Sequence, residues 1–132
     1  MEWMEPRLDW KSADFYNSGD LNRVENNIAV VANLLRNFIP VPDLVIVANR
    51  SMNRIETAHS LNRIERNINL LRERHTPSGW IAHSDDWAAL SPFTYKDAFR
   101  LENNMFLLYI YYIGNIGIQP VCGAFICGEE AI

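Results

Sequence analysis

Asp20-Leu-Asn-Arg-Val-Glu-Asn-Asn-Ile28 returns as Ser60-Leu-Asn-Arg-Ile-Glu-Arg-Asn-Ile68 and once more as Asp97-Ala-Phe-Arg-Leu-Glu-Asn-Asn-Met105. A phrase repeated along one chain is the signature of units that bury their apolar faces on one another. In the first copy Leu21, Val24, Ile28, Val31, Leu35 and Phe38 step by three and four, which places them on one stripe of an α-helix. Leu61, Ile64, Ile68 and Leu71 form the matching stripe in the second copy. Ala98, Leu101, Met105, Leu108 and Tyr112 form it in the third. Each predicted helix therefore carries a coiled-coil-like seam.

The helix starts repeat too. Asn17, Thr57 and Thr94 stand three residues before Asp20, Ser60 and Asp97, and all three are good N-cap types. Asp20 and Asp97 complete acidic versions of a capping box and suit the positive end of the helix dipole, while Tyr16 and Leu21 are spaced for a hydrophobic staple. The expected helices run from about Ser18 to Asn37, stopped by Pro40 and Pro42, from about Ala58 to Arg74, and from Thr94 to a glycine cap at Gly114.

The polar constants are Arg23, Glu25 and Asn27, then Arg63, Glu65 and Asn67, then Arg100, Glu102 and Asn104. With Leu21 at heptad position a, the glutamates fall at e and the asparagines at g, flanking the seam. Occurring once, such a set would be a catalytic candidate. Occurring three times, it points to inter-helix salt bridges and hydrogen bonds, each worth under about 1 kcal/mol if exposed.

Upstream, Asp9-Trp10 precedes Asp20 by the same distance as Asp86-Trp87 precedes Asp97, so the unit is a lead-in plus a helix. Trp10 and Trp87 are either aromatic platforms for sugar or peptide, or residues that fold the lead-in onto its own helix; buried area is the usual contribution of tryptophan. The second copy lacks the Asp-Trp pair, and the third has Phe99 where the others have Asn22 and Asn62. Between the first two helices, Asp43 to Ala48 is a β-branched run too short for periodicity to separate strand from helical turn, and a connecting element is expected there.

The expected fold is mainly α: a helical bundle of three lead-in-plus-helix units, about 1–40, 41–78 and 79–132, in one domain, with a short extended C-terminal tail that could pair as a β-hairpin. A chain of 132 residues, 48% hydrophobic, can bury one core without staples. A net charge of −4 argues against a general nucleic-acid binder, and the six Arg against three Glu of residues 50–74 read as a solvated, salt-bridged face. The N-terminus has no basic region followed by an apolar one, so signal-peptide export is not expected. The longest apolar run, Met105 to Ile113, is about half a membrane span, and a soluble protein made in the cytoplasm follows.

That run is apolar on every face of its helix, which requires burial all round, in the bundle or against another subunit. Phe106, Tyr109, Tyr111 and Ile113, with Val121, Phe125 and Ile126 of the tail, are the candidate interface. No GxGxxG, Walker A, GxSxG or HExxH signature occurs, so no catalytic, cofactor-binding or metal-ligating residue is assigned. Cys122 and Cys127 lack the second ligand pair of a zinc site, and His59, His75 and His83 fall at no ligand spacing.

The Asp9-Trp10 and Asp86-Trp87 lead-ins, the helices from Asn22 to Ile28 and Asn62 to Ile68, and Cys122-Gly-Ala-Phe-Ile-Cys-Gly128 resemble small helical proteins from the structural modules of phages and prophages of Gram-positive bacteria, near tail and baseplate components. The resemblance implies a non-enzymatic virion or assembly protein, present in the host cytoplasm and then the virion. It would dock to copies of itself as a homo-oligomer or to other phage structural proteins, without cofactor or membrane. The alternative is a module that binds cell-wall carbohydrate or peptide through its lead-in tryptophans.

Overall fold

The computed structural model describes residues 2–11, 18–50, 58–83, 85–88 and 93–116. Among them are α1 (Ser18–Leu35), α2 (Ala58–Leu71) and α3 (Tyr95–Ile116), and no strand. The fold is mainly α, as the period of the repeat requires. None of these helices is long and apolar enough to cross a membrane.

The seams meet in one core. Val24, Ile28, Val31 and Leu35 from α1, Ile64, Ile68 and Leu71 from α2, and Leu101, Met105, Leu108 and Tyr112 from α3 are all essentially removed from water. At about 25 cal/mol per Å² of apolar surface, this burial is the main term holding the helices together. The third helix begins with Thr94 and Asp97 paired: Asp97 accepts from the Thr94 backbone N–H at 2.9 Å and from the Thr94 hydroxyl at 3.1 Å, which is the acidic half of the capping box. Asn17, Thr57 and the Tyr16 staple lie outside the described residues.

All three helices run parallel. Near their N-termini Arg23 meets Glu102, Arg63 meets Glu25 and Arg100 meets Glu65. At the other end Phe38 packs on Tyr112, Arg74 on Phe38 and His75 on Tyr111. Parallel neighbours need a return crossover, and the lead-ins supply it. Residues 2–11, 40–50 and 75–83 carry no regular structure, so residues 43–48 are part of a second lead-in and neither strand nor helical turn. Gly79, at φ +90°, takes the left-handed position of a turn closed by the Trp80 N–H on the Pro77 carbonyl at 3.2 Å, and this aims the third lead-in back along the bundle.

One expectation fails at the end of α3. Gly114 does not cap it: the helix continues to Ile116, and the side chain of Asn115 donates to the Tyr111 carbonyl at 2.6 Å. The apolar run is covered on some faces by the described residues. Trp3 stacks on Tyr109 at 4.0 Å and His75 on Tyr111 at 3.8 Å, but Ile110 is 51% exposed and Ile113 43%. The described lead-ins leave this face open, and of the two coverings expected, the bundle itself does not supply it among the described residues. The tail with its cysteines and its expected hairpin lies outside the described residues.

Candidate functional site

The repeated polar residues assemble into one layer across the bundle. Arg63 of α2 donates to both oxygens of Glu25 on α1, at 2.6 and 2.8 Å. Arg100 of α3 does the same to Glu65 on α2, at 2.9 and 2.7 Å. Arg23 of α1 closes the circle, reaching Glu102 on α3 through Nε at 2.8 Å and through Nη2. Every unit therefore sends its arginine to the glutamate of the unit before it, and the first unit counts the third as its predecessor. Such fork-to-fork pairs fix the geometry of both partners as well as attracting them.

Each glutamate has a further donor, drawn from the lead-in of the same unit as the arginine. The Trp10 indole N–H donates to Glu102 at 3.3 Å and that of Trp87 to Glu65 at 3.0 Å. In the second unit the equivalent position, ten residues before Ser60, is Arg50, which pairs with Glu25 while the Val47 N–H donates to the same carboxylate at 3.1 Å. His83 adds a third group to Glu65, with Nδ1 at 3.4 Å.

The glutamates are fully or almost fully buried, as are Arg50 and Arg100. The exposed-pair energy expected for flanking e and g positions does not apply here, because the lead-ins roof the layer over. A buried ion pair gains little net stability over apolar packing, yet loses a great deal when one partner is removed. The hydrogen bond that Arg23 donates to Glu102 is the leading cause that raises the Arg23 pKa above its ordinary value.

The asparagines do something different from the inter-helix bonds expected of them. Asn27 binds its own lead-in, donating to the Met4 carbonyl at 2.8 Å and accepting from the Met4 N–H at 2.9 Å. Asn104 treats Ile81 alike, at 2.8 and 3.1 Å, and Asn67 donates to the Val45 carbonyl at 3.1 Å. A carboxamide matches a peptide group in this way, so an irregular segment satisfies its backbone without a strand partner. A second clamp joins adjacent units. Asn22 holds both backbone groups of Arg50 at 3.0 and 3.1 Å, and Asn62 those of Trp87 at 2.7 and 3.0 Å. Phe99 occupies this place in the third unit and has no amide to offer Trp10.

The candidate platforms Trp10 and Trp87 are thus members of the carboxylate layer. Trp10 is 7% exposed, with the Arg7 guanidinium over its ring at 4.1 Å. Trp87 lies against His83 and Phe93. Each folds its lead-in onto the preceding helix rather than its own. The described arginines of the middle segment likewise have partners within the chain: Arg63 on Glu25, Arg66 on Asp85 at 3.3 Å, and Arg72 and Arg74 over the rings of Trp80 and Phe38. Of the candidate interface, Phe106, Tyr109 and Tyr111 are half-buried and Ile113 is exposed, while Val121, Phe125 and Ile126 lie outside the described residues. Ile110, outside that set, is more exposed than its four described members. Among the described residues no group of histidine, cysteine and carboxylate side chains could hold a metal. The chain matches no protein-family model, no curated protein and no solved structure.

Proposed function

We propose that the chain is a non-enzymatic assembly module, of the virion-structural kind its repeat resembles, and that it docks through the C-terminal end of α3. One observation carries this reading. Ile110 and Ile113 match Asn33 and Arg36 of the first unit, 77 residues earlier as Asp20 is from Asp97, and all four are exposed, so the outward face that is polar at the end of the first helix is aliphatic on α3. Ile110 and Ile113 lie three residues apart on the side that no other described segment covers. Exposed large aliphatics repeated at helical spacing on one face are suited to a partner surface.

The repeated polar residues support the same reading, because their hydrogen-bonding capacity is consumed in holding the units together. The use of tryptophans as a carbohydrate platform draws no support from Trp10, which is nearly buried, with the Arg7 guanidinium over its ring.

Light scattering across a concentration series tests the proposal. The wild-type protein should form a defined oligomer, and Ile110→Asp with Ile113→Asp should give a folded species of monomer mass. A chain truncated after Ile116 separates this face of α3 from the tail. A wild-type monomer at every concentration would count against self-assembly, and an oligomer unaffected by the two substitutions would move the surface elsewhere.

A further inference from the structure

The three units act as controls for one another, and the third departs from the pattern twice on one face. Phe99 replaces the asparagine of Asn22 and Asn62, and Tyr95 stands where α1 has Ser18 and α2 has Ala58. Residues 95 and 99 are four apart, one turn along the same side of α3. Since the other units fold with small or amide side chains at these places, the aromatic rings are not needed to build a unit.

Both rings line a single cleft of about 500 Å³, with Trp10, Ile81, His83 and Lys96 around it. That volume is in the range of small-molecule sites. The walls are mostly apolar. Asp97 and Arg100 also border it, but Asp97 is engaged with Thr94 and Arg100 with Glu65. Lys96 is exposed and makes no ion pair among the described residues. A sugar would need several polar groups directed into the cleft. An aromatic body with one anionic group needs what is present, which is ring surface and a cation at the rim.

We propose that this cleft is a binding site for a small aromatic carboxylate, its ring against Phe99 and Tyr95 and its carboxylate paired with Lys96. The site lies at the opposite end of α3 from Ile110 and Ile113, so it stands or falls separately from the assembly surface.

The probe is 3-phenylpropionate, followed by amide chemical shifts of the full-length protein. Shifts should concentrate on Tyr95, Lys96 and Phe99, with a Kd of roughly 1 mM for a ligand of this size. Its neutral amide should bind up to about fivefold more weakly, and Lys96→Gln should erase that difference, as for an exposed ion pair. Phe99→Asn restores the residue of the other two units; it should keep a dispersed spectrum and lose the shifts. No shift at about 10 mM ligand, well above that expected Kd, would overturn the proposal. So would shifts that persist in Phe99→Asn, equal binding of acid and amide to the wild type, or a collapsed Phe99→Asn spectrum, which would make Phe99 a core residue.

Discussion

The seam between the second and third units and the seam that closes the circle between the third and first use the same carboxylate chemistry. In both, an arginine grips a glutamate by two oxygens and a tryptophan indole donates to it. They differ at the clamp: Asn62 holds the Trp87 peptide, whereas Phe99 stands in the equivalent place beside Trp10. The carboxylate layer is therefore what the fold demands of every unit, and the clamp is what one unit can lose. Trp10 and Glu102 are 92 residues apart in sequence, so the closing seam has to be specified by side chains rather than by a short connection.

Glu65→Gln should produce the largest effect, a loss of about 3–5 kcal/mol, because it leaves Arg100 buried with a weaker partner. That is a large part of the total stability of a domain this size. Glu102→Gln should cost less, since Arg23 is more exposed than Arg100 and keeps Asp20 at 3.0 Å, nearer than the Asp97 that Arg100 keeps at 3.4 Å. Urea midpoints of the two variants make the measurement. Equal losses would show that exposure of the arginine does not grade the seams.

Next in size is Asn62→Leu, which strips the Trp87 N–H and carbonyl of their side-chain partner and should cost about 1–3 kcal/mol. Its counterpart in the closing seam is Phe99→Asn. There the clamp is gained while half-buried ring surface is lost, and the midpoint should stay within about 1 kcal/mol of wild type. A neutral Asn62→Leu would remove the contrast between the seams altogether.

Much of the fold was legible in the apolar spacing. Leu21 to Leu35, Ile64 to Leu71 and Leu101 to Tyr112 are buried where a period of 3.6 places them, and Thr94 with Asp97 caps its helix. The polar layer was legible only as composition. Periodicity tells which face of a helix is buried but not which neighbour it meets, and it gives no depth, so Glu25, Glu65 and Glu102 read as flanking surface residues. The lead-ins that bury them have no period at all, because their backbone groups are satisfied by asparagine side chains. Arg50 did leave a signal: counting back ten residues from Ser60, as from Asp20 to Trp10, lands on it. Ile110 left one as well: counting back 77 residues lands on Asn33, off the apolar stripe and exposed, but a run apolar on every face hides which face turns outward.

The smallest effect expected lies at the far end of the closing seam, where α1 and α3 meet without the carboxylate layer. Tyr112 is enclosed there, with Phe38 at 5.4 Å and Tyr111 edge-on at 5.0 Å, and burial raises its phenol pKa above the ordinary value of 10.0, against a smaller lowering influence from Arg74. The neutral phenol is thus the form the folded state prefers. Stability is fully present below the unfolded value near pH 10 and is lost as pH rises through the higher folded value, because the unfolded chain releases this proton first. Denaturation of wild type and Tyr112→Phe should run parallel up to about pH 10 and diverge above it, the wild type falling more steeply. Hydrogen exchange at the ends of α1 and α3 should report that alkaline loosening before α2 does. Parallel curves throughout would mean that the phenol reaches solvent in the folded state and that the closing seam is open at this end.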